Sequence, residues 1–405
     1  MEKTENASVS SKEVVGNRRF FLFPLVVSNF AAGALPLLAS LLLIDIGNTF
    51  NTSVGVTGQA NTTYSIAAVV FALLMGALSV RFKHKSLLLI GLVLVSVSAM
   101  GCYLSVNFPM MLASYTLSGF GWAMISPMAI TMVGEHFSLE KRAGAVGWII
   151  AGGALVYFVG APLIALAANF GGWQFAVLTF VLPVSLAGLV LAWIRLPSAR
   201  TSQNRSLLHL HDYLNDFGVV LANRSAFSCF VGDFFRSGSF VAILLFAASF
   251  GRERFQHSRE LTSIVILTAA LCYTIGSLTC GAIVSRFGRK SSTVLSIFLA
   301  GTLTIAYVFA PNELFYVMLL FSAAWFFGAG AASANSLSLE QVPNLRGTMM
   351  SLDTAAINLG AALGTAVAGL ALAYSGYEGL SVSLGAMGII SAVVFKFFSK
   401  DPTRK

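Results

Sequence analysis

The sequence predicts an all-α integral membrane protein of twelve transmembrane helices, arranged as two pseudo-symmetric six-helix bundles. Three observations carry that reading. Of the 405 residues 57% are hydrophobic and only 10% charged, with a mean hydropathy of +0.81, whereas soluble domains carry about 25% charged residues. The apolar residues run continuously over about 20 positions, enough for a helix to cross a hydrocarbon core of about 30 Å; they do not alternate as in the strands of an outer-membrane barrel. Segments of the first half also recur 205 positions later, as in Gly76 and Gly281. This composition excludes a globular enzyme and a single-pass receptor.

Residues 1–19 are polar. The apolar run starting at Phe20 is longer than a signal-peptide core and has no small-residue cleavage site after it, so the N-terminus is expected to remain as a cytoplasmic tail. Spans 1 to 6 are expected at residues 20–46, 58–80, 86–106, 108–134, 144–168 and 173–195, making residues 20–195 the first bundle. Spans 7 to 12 are expected at 226–250, 261–283, 291–310, 313–339, 347–374 and 377–398, making 226–398 the second. Residues 399–405 form a short tail. The connection at 196–225 carries Leu207, Leu208, Leu210, Leu214, Phe217 and Val220 at near-helical spacing, which predicts a surface helix lying along the membrane.

Orientation follows from the cations. On this map 21 of the 25 lysines and arginines lie in the N-terminal tail, the even-to-odd connections or the C-terminal tail, which places both termini in the cytoplasm of a cell-membrane protein. The net charge of +9 then reflects topology and gives no reason to expect nucleic acid. Cys102, Cys229, Cys272 and Cys280 sit in apolar runs without metal-type spacing, and the histidines form no ligand set, so neither metal nor cofactor is expected.

The internal repeat has recognisable landmarks. Residues 76–85 read GALSVRFKHK between spans 2 and 3; residues 281–290 read GAIVSRFGRK between spans 8 and 9. Glu135 and Arg142 flank the connection of spans 4 and 5 as Glu340 and Arg346 flank that of spans 10 and 11, and Gly160 and Gly364 each follow their arginine by 18 residues.

These residues resemble the major facilitator superfamily from Phe20 to the last span. The family's signature between spans 2 and 3 is matched by Gly281, Arg286, Phe287, Gly288, Arg289 and Lys290, with Ser285 in place of an aspartate. The first copy keeps Gly76, Arg81, Phe82, His84 and Lys85, but has Val80 for the aspartate and Lys83 for the glycine. The resemblance implies a cytoplasmic gate in which Glu135, together with Arg142, and Glu340, together with Arg346, supply the carboxylates that pair with Arg81 and Arg286; plain positive-inside anchoring is the other reading of the same charges. The family's drug-antiporter branches carry an arginine in span 4 ahead of a Gly-x-Gly. Here Gly119 and Gly121 are present and Tyr115 takes the arginine's place, while Arg346, Gly347, Asn358, Leu359, Gly360 and Gly364 in span 11 resemble efflux members.

Charge inside the membrane costs about 2.5–3.5 kcal/mol per residue, so it signals function. Arg236 lies near mid-depth in span 7, with Asp233 three residues earlier on the same face; Asp353 lies nearer the start of span 11, within reach of the gate. Asp233 and Arg236 form either a structural ion pair or a cavity site, in which Asp233 takes up and releases a proton and Arg236 holds a polar substrate group; Asp353 is a second proton-coupling candidate. With spans 1, 4, 7 and 10 lining the cavity, as the resemblance implies, Asn29, Tyr115, Trp122, Asp233, Arg236, Phe240, Trp325 and Phe326 become lining candidates. Their aromatic character suits an amphipathic ligand.

The expected function is secondary active transport by alternating access: proton-coupled efflux of a small amphipathic drug-like molecule or metabolite by an antiporter acting as a monomer in lipid. Uptake of a small organic anion by a symporter or facilitator is the alternative within transport. A membrane-embedded sensor is the non-transport alternative, though no loop is large enough for a signalling domain; an enzyme is not expected, since no HExxH or GxSxG occurs.

Overall fold

The computed structural model describes residues 18–52, 54–197, 210–257 and 259–402. No strand occurs among them. Span 1 is Arg18–Leu41, span 2 Val54–Arg81, span 3 His84–Tyr103 and span 4 Phe108–His136. Span 5 runs from Leu139 through a π turn at Val156–Gly160 into helix Ala161–Ala176. That helix is broken at Gly171 and Gly172, the latter at φ 75°, and span 6 continues through a second π turn at Val177–Val181 to Arg195. Span 7 is Arg224–Phe255, span 8 Arg259–Phe287, span 9 Arg289–Ala306 and span 10 Glu313–Ser338. Helix Arg346–Phe398 is broken at Gly376, φ 62°, into spans 11 and 12. Among the described residues eleven stretches are long and apolar enough to cross a membrane; one of them, the 57-residue Leu139–Arg195, is two spans interrupted at the Gly171–Gly172 break, which makes twelve.

Local chemistry explains most boundaries. Asn107 caps span 4 by accepting a hydrogen bond from the Met110 amide at 2.9 Å, and Asn312, 205 positions on, caps span 10 through the Phe315 amide at 3.0 Å. The π turns precede Pro162 and Pro183: a proline ring displaces the carbonyl four residues back and leaves it without its usual donor, which a locally widened turn absorbs. The repeated basic connection also differs between its copies. Gly288 holds φ 82°, a left-handed conformation that favours glycine, whereas Lys83 at the equivalent position holds φ −62°. The first copy therefore tolerates the lysine.

One expectation needs correction. The apolar run at 20–46 forms two helices, because span 1 ends at Leu41 and a short helix, Leu43–Thr49, follows. Twenty-four residues already reach about 36 Å, more than the apolar core requires. The linker helix is present at Leu210–Ala222; Leu207 and Leu208 lie outside the described residues.

Spans 1–6 and spans 7–12 each enclose apolar clusters, one of the first half's reaching across to Leu339 and Met350 of the second. The halves meet where span 5 crosses span 8 and span 2 crosses span 11. Small residues permit this approach: Gly144 faces Gly281, and Gly147 lies against the Ser277 carbonyl. Large side chains such as Val93, Val97, Leu186, Val190 and Trp193 point outward, as a lipid-facing surface requires.

Candidate functional site

Spans 7 and 11 are drawn together by glycine. Gly238 and Gly364 are in backbone contact, and Gly360 packs on the Phe234 carbonyl. Ser237 donates to the Ile357 carbonyl at 2.7 Å, while Ser239 and Ser391 bind span 7 to span 12 through the Leu384 and Gly232 carbonyls. This clamp leaves room for a charged core. Arg236 Nε donates to Asp233 Oδ1 at 2.5 Å, with both side chains at most 4% exposed.

Asp353 joins them. The sequence places it nearer the gate, but its carboxyl faces Asp233 and Arg236 and is fully buried. Both of its oxygens, and Oδ2 of Asp233, complete no hydrogen bond among the described residues. Two acids thus share one arginine in an enclosed site, which is electrically neutral when one acid carries a proton. Net charge in such surroundings costs several kcal/mol, roughly, even after relaxation, so proton occupancy and cluster charge are tightly linked.

Tyr273 of span 8 completes the cluster from the other side. It interacts with Arg236, and Phe240 stacks on it with ring centroids 4.4 Å apart. Sequence reasoning missed Tyr273; a phenol at mid-depth of an apolar span was its only signal. Phe240 also approaches Phe327 at 5.4 Å, so the cluster has an aromatic wall.

The other lining candidates scatter. Asn29 is buried and returns its amide to the Leu25 carbonyl at 3.2 Å, a bond within span 1. Tyr115 is buried in the first half and donates to Asn61 at 2.8 Å. Trp122 packs against the first-half core, and Trp325 meets Phe326 edge-on at 4.9 Å. None of these five pairs with the charged cluster among the described contacts.

Of the residues expected to form a gate, Glu135, Arg142, Glu340 and Arg346 make ion pairs at the basic end, with partners different from those the resemblance implies. Glu340 bridges the halves: Oε1 accepts from Arg142 at 2.5 Å and Oε2 from Arg346 at 3.3 Å. Glu135 pairs with His84 at 2.8 Å, not with Arg81. Arg81 is exposed over the Phe82 ring, and Arg286 is exposed too. Its neighbour Arg289 takes the buried role, donating to Ser336 Oγ at 3.0 Å and across the halves to the Leu139 carbonyl at 2.5 Å. The reason is helical phase: the residue that starts span 9 points inward, whereas the residue ending span 8 points out. Thr348 donates to the Gly76 carbonyl at 2.9 Å, and Phe217 of the linker helix lies over Gly76. The direct hydrogen bonds described between the halves all lie at this end.

Comparison with known proteins gives a consistent picture. The family model of the Major Facilitator Superfamily matches residues 22–266 and 225–405. The MFS-type transporter YceJ of Bacillus subtilis (strain 168) is 26% identical over 393 residues, covering 96% of this chain and 98% of its own. The efflux pump hmp6 of Hypomyces subiculosus is 25% identical over 80% of this chain and 55% of its own. Among solved structures, the transporter FucP in the outward conformation superposes with a TM-score of 0.79 at 15% identity, over 94% of this chain and 98% of its own. The human organic anion transporter MFSD10 (TETRAN) gives 0.74 at 16% identity, over 92% and 99%.

Proposed function

The chain belongs to the major facilitator superfamily and is a multi-pass membrane transporter of small molecules rather than an enzyme, and from that premise we propose that it is a proton-coupled antiporter exporting a small amphipathic molecule. The observation that carries the proposal is the Asp233–Arg236–Asp353 cluster. One arginine against two acids leaves a single exchangeable proton in the apolar core, beside the aromatic wall of Phe240 and Tyr273. Export is supported by the efflux-like residues of span 11 and by the likeness to hmp6, itself named an efflux pump. We place the basic end in the cytoplasm of a cell-membrane protein. The Glu340 bridge then closes the cytoplasmic side, and the likeness to FucP in its outward conformation supports that assignment.

In this reading the cycle has two charge states. With the cytoplasmic side closed, the acid pair takes a proton from outside; with the halves separated at the basic end, it releases the proton inside as substrate binds. A second reading, uptake of a small organic anion held by Arg236, draws on Tyr115 standing where the antiporter branches carry arginine. The two are separated by direction. In proteoliposomes carrying ethidium as an amphipathic probe, an antiporter moves ethidium against an imposed proton gradient and the lumenal pH shifts in step. Ethidium movement insensitive to the gradient, or proton movement in the same direction as solute, contradicts antiport.

A further inference from the structure

Past span 12 the chain lies across the basic end of the second half. Ser399 is buried and turns its hydroxyl back to the Phe395 carbonyl, closing the helix. Lys400 then places both of its backbone polar groups on other spans. Its amide donates to Ser225 Oγ, at the start of span 7, at 2.7 Å, and its carbonyl accepts from Gln341 Nε2, just beyond span 10, at 3.0 Å. The Lys400 side chain is exposed and takes no part in these bonds.

Gln341 is the informative partner, because the residue before it is Glu340, the acid that bridges Arg142 and Arg346. The Gln341 side chain is buried, and its amide also donates to the Leu337 carbonyl at 3.1 Å. An amide nitrogen carries two donors, and both are used here. The turn that carries Glu340 is otherwise held by local backbone bonds, from the Glu340 amide to Leu337 at 3.2 Å and from the Gln341 amide to Ser338 at 3.1 Å. A helix end held only by such bonds frays. Gln341 ties that turn to Lys400, and Lys400 ties it to span 7, eight residues before Asp233.

We propose that the Lys400 main chain is a strap that positions Glu340 for its bridge to Arg142, with Gln341 and Ser225 as the positioning residues that hold it. The proposal goes beyond the proton-coupled reading and rests on one part of it, the assignment of Glu340 as the closure of the basic end. Detaching the strap frees the Glu340 turn and shifts the protein toward separated halves without altering any charge of the gate. The chain beyond span 12 thereby acquires leverage over the gate through backbone atoms alone.

Because the strap is made of main chain, it discriminates between substitutions at one position. Lys400→Ala keeps both bonds. Lys400→Pro removes the amide that reaches Ser225, and Ser399, at ψ 150°, already holds the extended conformation that precedes a proline. Ser225→Ala removes the same bond from its other side, and Ser225→Thr keeps the hydroxyl.

The test needs no substrate. Maleimide labelling of the native cysteines in the purified full chain, mapped by mass spectrometry, reads the gate. Cys280 is buried between Ala143 and Ala332 and reports separation of the halves, whereas Cys102, buried within the first half, reports general loosening. Cys280 labelling is expected to rise about fivefold in Gln341→Ala, Ser225→Ala and Lys400→Pro, the effect of losing one or two hydrogen bonds. It should stay at the wild-type level in Lys400→Ala and Ser225→Thr, with Cys102 unchanged throughout, and Gln341→Ala should add nothing in a Glu340→Gln background. Unchanged Cys280 labelling in Gln341→Ala, where Glu340→Gln raises it, overturns the strap and leaves the bridge standing. A parallel rise at Cys102 shows general loss of packing and overturns the strap as well. If Glu340→Gln itself leaves Cys280 unchanged, the bridge fails as the closure and the strap with it.

Discussion

Arg142 of span 5 and Glu340, two residues beyond the end of span 10, meet across the two halves at 2.5 Å, with the Glu340 side chain only 4% exposed, and Arg346 holds the second Glu340 oxygen. One acid thereby ties three spans. Removing one partner from a buried pair costs about 3–5 kcal/mol, because the remaining charge is left uncompensated. Glu340→Gln is therefore expected to shift the protein toward an open basic end. Cys280, buried between Ala143 of span 5 and Ala332 of span 10, is a native reporter. Its maleimide labelling, mapped by mass spectrometry, should rise at least about tenfold in the variant. Equal labelling in both proteins would mean that the bridge does not hold the gate.

The linker helix contributes a separate lock. Phe217 occupies the space in which a side chain on Gly76 would sit, and Thr348 lies alongside. Gly76→Ala is expected to lower thermal stability by an amount equivalent to about 1–3 kcal/mol, the usual cost of overpacking, and to cost less in a Phe217→Ala background. A double-mutant cycle on melting temperatures in detergent checks this. Additive effects would show that the ring and the glycine do not meet.

The clamp of spans 7 and 11 predicts a contrast between glycines. Gly364 is in contact with the Gly238 backbone, whereas Gly369, one and a half turns further on, has open space at its Cβ position. Gly364→Val should abolish accumulation of folded protein, while Gly369→Ala should leave yield and melting temperature unchanged or slightly raised. Size-exclusion profiles of both variants give the answer.

Within the cluster, stability and charge should compensate. Arg236→Ala leaves two buried acids without a cation and is expected to be the most damaging single change, at about 3–5 kcal/mol. Combining Arg236→Gln with Asp233→Asn removes both charges of the pair and should recover most of that loss. Melting temperatures of the single and double variants, compared at one pH, test it; a double variant less stable than Arg236→Ala would show that the pair is not held together by charge.

Much of this organisation was legible in the sequence. The twelve runs, the 205-residue offset and the turn glycines follow from lipid thickness and chain reversal, which act on every residue of a span. Pairings across spans were less legible. Asp353 reads as a gate residue from its place near the start of span 11, yet counted from the observed starts of their helices Asp353 lies about 10 Å deep and Asp233 about 14 Å. That near-equality was available in principle; which face Asp353 presents depends on the glycine clamp, which no single-span pattern reveals. The same holds for His84 with Glu135 and for Arg289 taking the inward position, where helical phase at a turn decides the partner. Tyr273 escaped because one tyrosine in an apolar run carries no periodic signal.

That the Asp233–Asp353 pair carries the coupling proton is the core of the proposed cycle. It is tested most directly by reconstituting wild type, Asp233→Asn and Asp353→Asn in proteoliposomes, and comparing gradient-driven ethidium transport and lumenal pH with ethidium–ethidium exchange at equal pH on both sides. Each variant is expected to retain exchange but to lose the pH-driven component by at least about a hundredfold. Proton movement that survives unchanged in both variants, with transport intact, would contradict it.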